Sequence, residues 1–322
     1  MQGDPKGARS DKDRAPAFPA TTPDPAPESR LNRPNATRAL ERRLGDRVRA
    51  RLPLWLGELV MFVLKQGWAC LFGGLMLGAI ILSKLIWQPD WALARYDALF
   101  IFALATQAIF LLFRLETLAE ARVILLFHLT GTAMEIFKVE AGSWAYPEPG
   151  LFKILQVPMF SGFMYAAVGS YMARVIRLFE MRFAPYPPFA ATLVLALAIY
   201  VNFFSHHFLP DIRLALFAAT IVMFARTRIW FRLAHWYWMP LPLAAFFSSV
   251  ALWIAENIGT LTGTWAYAGQ AVWERVSFAK MGSWYLLLYV SFVTVTLVLR
   301  QVTHRHPLTR ADLAETSDER AG

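Results

Sequence analysis

Residues 237–267 read YWMPLPLAAFFSSVALWIAENIGTLTGTWAY, and residues 122–146 read RVILLFHLTGTAMEIFKVEAGSWAY. Each is a long apolar run carrying a glutamate, Glu256 in one and Glu135 in the other. Seven positions after each glutamate comes a Gly-Ser/Thr-Trp-Ala-Tyr string, Gly263–Tyr267 and Gly142–Tyr146, and the offset is 121 residues at every matching point. A carboxylate at this depth in apolar sequence is costly. Two at equivalent places suggest either an old duplication with a site at its pseudo-symmetry axis or buried polar contacts between helices.

Working outward, 57% of residues are hydrophobic and 17% charged, against about 45–50% and about 25% in soluble domains. The apolar residues fall in long blocks. A helix pairs its own backbone groups, so a run of roughly 20 apolar residues can cross hydrocarbon. Eight such runs stand at about 67–87, 98–115, 121–139, 155–178, 189–208, 211–226, 237–258 and 278–300. The fold expected is therefore all-α, a polytopic membrane helical bundle of about eight transmembrane helices with a parallel 4+4 internal repeat. Its transmembrane domain would cover 65–303, with halves at about 65–182 and 186–303.

The flanks differ. Residues 1–35 are polar and Pro-rich and cannot bury enough apolar surface to order, which predicts a disordered tail; no apolar core follows a short basic start, so they do not read as a signal peptide. Residues 304–322 are expected to form a disordered cytoplasmic tail. Between them and the first span, 36–64 read as a basic amphipathic helix and an interfacial one. Leu40, Leu44, Val48 and Leu52 recur every fourth residue among Arg38, Arg42, Arg43, Arg47, Arg49 and Arg51. The Arg38–Arg51 segment is suited to anionic lipids at the inner face of a bilayer. Leu54–Leu64 is too short to span, and is read as interfacial or packed under the bundle.

The formal charge of +9 does not point to nucleic acid, because the surplus lies beside the spans. With the N-terminus inside, the inner segments hold most of the arginines, including Arg114, Arg122, Arg174, Arg177 and Arg182. The outer segments hold only Lys84, Arg95, Lys138, Lys153, Arg213, Arg275 and Lys280. That asymmetry places both termini in the cytoplasm and both Gly-Ser/Thr-Trp-Ala-Tyr strings on the outer side. Cys70 stands alone, so no disulfide framework or cysteine metal cluster is expected.

The candidate site residues follow. His128, Thr132 and Glu135 share one helical face. Ser249, Trp253 and Glu256 have the same spacing, with Asn257 on a neighbouring face. Asn202, His206, His207 and Asp211 form a third polar group at the outer end of the fifth span. His206, His207 and Asp211 lack a standard metal spacing, and no metal is expected. Glu135 and Lys138 are close enough to neutralise each other. Trp144, Tyr146, Trp265, Tyr267, Trp273 and Trp284 read mainly as an interfacial aromatic belt, and Gly142 and Gly263 as helix stops. No His-Glu-x-x-His, Gly-x-Ser-x-Gly or phosphate loop is present, and the sequence leaves any cofactor open.

These residues together resemble a known family. Phe127-His128, Glu135–Lys138, Gly142–Trp144, Tyr146–Glu148, Val157-Pro158 and Ser161–Tyr165 carry the likeness in the first half. Tyr200, Asn202–Phe204, His206-His207, Asp211, Met239-Pro240, Ala255–Ile258 and Ser283-Trp284 carry it in the second. The string resembles the YoaT-like bacterial integral membrane proteins, which carry domain of unknown function 817. The likeness runs from about Gly57 to about Gln301; it implies the bacterial cytoplasmic membrane and lends no activity. A shorter string, Glu256-x-x-Gly259-x-x-Thr262-Gly263 followed by Tyr267, is similar to membrane carotenoid-processing proteins of the hydratase and lycopene-cyclase-like groups.

Three functions stay open. Glu135 and Glu256 could anchor a small solute that is bound or transported, or a glutamate could act as general acid on a lipid or isoprenoid, or both could only pack helices. A Glu135, Glu256 and His206 cluster around a cavity would favour the first two.

Overall fold

The computed structural model describes residues 36–206, 208–269, 274–309 and 311–313. The expected N-terminal tail, His207, Trp273 and residues 314–322 lie outside the described residues.

The described chain is mostly helical. A basic helix α1 (Ala36–Arg51) leads into α2 (Leu54–Ala69), which breaks at Cys70 and continues as α3 (Leu71–Ile86) after a 66° bend. Next come α4 (Arg95–Leu112), α5 (Leu118–Glu140), α6 (Phe160–Leu178), α7 (Phe189–Ser205), α8 (Arg213–Phe224), α9 (Leu241–Leu261) and α10 (Phe278–Val298). The helices from α3 onward coincide one for one with the eight apolar runs, ends shifting by a few residues. A capping box opens α5: the Thr117 hydroxyl accepts from the Glu120 N–H, and the Glu120 carboxylate accepts from the Thr117 N–H.

Length and composition alone make three of these helices able to cross a membrane, α4, α9 and α10, or four if the bent α2–α3 pair is one span. The others fall short for identifiable reasons. The α5 helix carries Glu120, Arg122, Glu135, Lys138 and Glu140, and α7 and α8 have only 17 and 12 residues. Apolar side chains nonetheless face outward on several helices: Leu85 is 76% exposed, Leu112 77%, Leu214 83% and Val222 79%. Apolar surface on this scale calls for an apolar cover.

The all-α expectation is corrected by short strands. At one end, β4 (Arg182–Ala184), β5 (Arg228–Arg232) and β6 (Trp236–Pro240) form an antiparallel sheet in that order. The run expected to span at 237–258 begins as strand: Tyr237–Pro240 belong to β6, where aromatic and proline residues favour an extended chain, and the helix starts only at Leu241. The chain after Thr303 does not leave the molecule at once. Thr303 bridges Phe183, the His304 N–H donates to the Phe183 carbonyl, and Leu313 is buried against Ala184 and Trp230. At the other end, β2 (Lys153–Ile154) and β3 (Val157–Pro158) form a small hairpin, and β1 (Trp144–Ala145) pairs with β7 (Ala266–Tyr267). The two tryptophan-tyrosine strings thus meet as one antiparallel ladder.

The most extensive helix packing is between α5 and α6. Gly162 makes this closeness possible: a Cβ there would run into Thr132 and His128. The main core gathers residues of α3, α4, α5, α6 and α10, including Phe72, Tyr96, Phe127, Phe160 and Tyr289.

Candidate functional site

Both glutamate helices end the same way. After α5, Gly142 adopts φ +69° and its N–H donates to Val139, while the Ser143 N–H donates to Lys138. After α9, Gly263 adopts φ +65° and donates to Thr260, while Thr264 donates to Gly259. Each is a Schellman turn, which needs a left-handed residue that glycine adopts without strain. The turn reverses the chain and brings the following Trp and Tyr back toward the glutamate.

The reversal creates two matched clamps. The Trp144 indole N–H donates to Glu135 Oε2 at 2.7 Å and the Tyr146 hydroxyl to the same oxygen at 2.8 Å. The Trp265 indole N–H donates to Glu256 Oε1 at 2.7 Å and the Tyr267 hydroxyl to the same oxygen at 2.5 Å. In both, the tryptophan lies nine residues after the glutamate and the tyrosine eleven. Trp144, Tyr146, Trp265 and Tyr267, expected as part of a belt, are therefore hydrogen-bond donors to buried carboxylates. The signal was in the sequence, as a repeated spacing; the belt reading treated the rings as surfaces and overlooked their donors. Burial, then the adjoining carboxylate, holds the Tyr146 and Tyr267 phenols well above their ordinary range, so both remain donors.

The clamps differ in what completes them. Glu135 is 3% exposed, and its second oxygen accepts from Tyr165 of α6 at 2.6 Å. Glu256 is 7% exposed, and Trp265 and Tyr267 both donate to Oε1. Trp284 of α10 is a further hydrogen-bond partner of this carboxylate, and Lys280 of α10 brings positive charge near it. The Lys280 ammonium lies over the Tyr267 ring, a cation on an aromatic face. The two clamps touch: Trp144 and Tyr267 are strand partners with rings 5.8 Å apart, and Tyr165 meets Trp284 at 6.2 Å.

Other candidates lie elsewhere. His128 packs on Phe163 with ring centroids 4.3 Å apart, and its buried Nδ1 has no hydrogen-bond partner among the described residues. Thr132 bonds back to the His128 carbonyl. Asn202 is taken up locally: its amide donates to Asp211 and its oxygen accepts from the Ile212 N–H. His206 Nδ1 lies within hydrogen-bond distance of the Asn202 and Phe203 carbonyls. The third group thus organises the α7–α8 turn. Lys138 reaches across to it, donating to the Phe203 carbonyl at 2.6 Å; it does not neutralise Glu135. Asn257 holds the chain before α10 by accepting from Val276 and donating to Trp253. Among the described residues no three His, Cys, Asp or Glu side chains gather as metal ligands.

Two polar networks went unread in the sequence. Arg95, taken as a topology charge, is 5% exposed and donates to Glu148, Ser83, Thr264 and the Ile80 carbonyl. It ties the second clamp's turn to the loop after β1. At the opposite end Arg174 pairs with Glu116 at 2.5 Å, both side chains fully buried, and Arg177 pairs with Glu120 at 2.7 Å. Ser170 and Gln107 also donate to Glu116. Sequence separations of 58 and 57 residues hide such pairs from any local pattern.

The stretch that holds the site matches a known family. A family profile described as "Protein of unknown function (DUF817)" matches residues 58–292. The chain belongs to this family. The DUF817 chain is also 41% identical over 261 residues to "Uncharacterized protein YoaT" of Bacillus subtilis (strain 168), covering 80% of this chain and 97% of that one. No solved structure matches. The DUF817 match takes in both clamps, Arg95 and the Glu116–Arg174 pair.

Proposed function

We propose that this chain is a polytopic protein of the bacterial cytoplasmic membrane, crossing eight times in two parallel halves with both termini inside. Near its outer face the paired Glu135–Glu256 site binds or carries a small solute that donates hydrogen bonds or brings positive charge. The observation that carries this reading is the matched pair of carboxylate clamps joined through β1 and β7. An ionised carboxylate only accepts hydrogen bonds, so a ligand of the glutamate pair must be a donor or a cation. The rings of Trp144, Tyr165, Tyr267 and Trp284 offer faces that attract cations, and Lys280 already uses one.

A purely structural role fits less well. Glu116 shows how this protein treats a carboxylate that only packs helices: a buried arginine and further donors occupy it. Glu256 instead meets aromatic donors, with Lys280 nearby and no arginine paired to it among the described residues. A lipid-processing enzyme would need its acid inside an apolar cavity. The molecule has such a cleft, of about 110 Å³, but neither Glu135 nor Glu256 lines it.

The test is thermal unfolding of the detergent-purified protein with ammonium, methylammonium, tetramethylammonium and guanidinium, against neutral amides of matched size. At least one donor or cation should raise the midpoint, and Glu256→Gln should weaken that ligand about tenfold or more while the protein stays folded, the loss of a charged hydrogen bond. If no probe moves the wild-type midpoint, or Glu256→Gln leaves the response intact, the site is not what is claimed.

A further inference from the structure

The apolar cleft lies away from both clamps, at the end of the molecule that carries the β4–β6 sheet. Elements of both proposed halves form its walls. Phe62 of α2 and Met172 of α6 face Phe231 of β5, Met239 of β6 and Ala245 of α9 across it. Polar side chains are few: Gln66, Tyr171, Ser248 and Tyr289, of which Tyr171 already donates to Gln66 at 3.2 Å and Tyr289 is hydrogen-bonded to Tyr285 at 3.1 Å. The volume, about 110 Å³, is of the order of the roughly 150 Å³ apolar cavity that accepts benzene. It suits a short length of hydrocarbon.

From these features we infer that the cleft holds the acyl chain of a bilayer phospholipid. The inference rests on the membrane reading above and is independent of the clamp site. Three observations select this occupant. The lining is hydrocarbon and sulfur with almost no hydrogen-bonding capacity, so a polar solute would lose its hydration without replacement. The α2 helix beside the cleft exposes Trp55, Leu59 and Val63 at 69%, 51% and 59%, so the surface leading to it is apolar too. The α1 helix, joined directly to α2, presents exposed Arg43, Arg47 and Arg51, a basic strip placed for an anionic headgroup. In a bilayer the phase in contact with such a cleft is lipid chain, and filling it recovers the dispersion contacts that an empty apolar space forfeits.

The experiment uses the full chain reconstituted in phosphatidylglycerol vesicles containing a trace of the same lipid with a diazirine midway along one acyl chain. After photolysis the labelled peptides are mapped by mass spectrometry. Label is expected on Met172, Met239 and Ala245 as well as on outward-facing Leu214 and Val222. In Ala245→Trp, which fills the cleft, the cleft label should disappear and the Leu214 and Val222 label should persist; Ser248→Leu serves if the first variant does not fold. Label on Leu214 and Val222 with none in the cleft overturns the inference and leaves the membrane reading standing. Cleft label that survives the filling variant also overturns it. Absence of label everywhere overturns the membrane reading itself.

Discussion

At Gly259 the two clamps diverge. The 121-residue offset aligns Gly259 with Lys138, and the difference decides how each tryptophan sits. The Trp265 ring lies directly on Gly259, where a Cβ would overlap it, and Trp265 is 5% exposed. Opposite Lys138 there is no such room, and Trp144 remains half-buried. Gly259→Ala should therefore push Trp265 off Glu256 and destabilise the protein by about 1–3 kcal/mol, the usual range for forced overpacking. Gly78 of α3 is the control, since nothing lies within 4 Å of an added Cβ there, and Gly78→Ala should be neutral or stabilising by up to about 1 kcal/mol. Thermal unfolding followed by tryptophan fluorescence reads both, and an equal response in the two variants would refute the claim that the Trp265 ring depends on Gly259.

Among the elements, α5 and α6 form the most constrained pair. The Glu116–Arg174 bridge sits at one end of their seam and the Glu135–Tyr165 bond toward the other. Glu116→Gln leaves a fully buried arginine without its counter-charge, which costs about 3–5 kcal/mol. Glu116→Leu with Arg174→Met removes both charges and should regain most of that loss; the yield and unfolding midpoint of detergent-purified protein decide it. A double variant as unstable as the single one would show that the bridge is worth more than its apolar replacement. These elements also show what could be read in advance. Helix positions were legible because apolar runs and their glycine or proline ends are local signals, and Glu256 stood out for the same reason. The Glu116–Arg174 pair was not, because it depends on how α5 and α6 pack. The β4–β6 sheet was missed because Trp, Tyr and Met before α9 look alike in a membrane helix and a buried strand. Asn202, His206 and Asp211 were legible as a polar group, but whether they faced the glutamates was a question of helix rotation that sequence leaves open.

For the whole molecule the proposed topology puts β1, β7 and both clamps outside and the β4–β6 sheet inside. With Cys70→Ser as background, Ala268→Cys beyond β7 should react with a membrane-impermeant maleimide in intact cells. Thr303→Cys, which lies against Phe183 at the other end, should react only after the membrane is opened. The reverse pattern would invert the orientation, and reaction of both in intact cells would contradict a spanning protein. The arginine-rich flank that suggested this orientation is partly structural: Arg174, Arg177 and Arg49 pair with buried glutamates, so the topology rests more on Arg43, Arg47 and Arg51.

The β1–β7 ladder has a mechanical consequence. It joins the ends of α5 and α9 through backbone hydrogen bonds two residues long, a link that tolerates rotation but resists separation. Any rocking of the proposed halves would turn about this ladder as about a hinge pin. Displacement about a pin grows with distance from it, so the widest swing would fall at the far end, where the β4–β6 sheet spans the gap between α6 and α9.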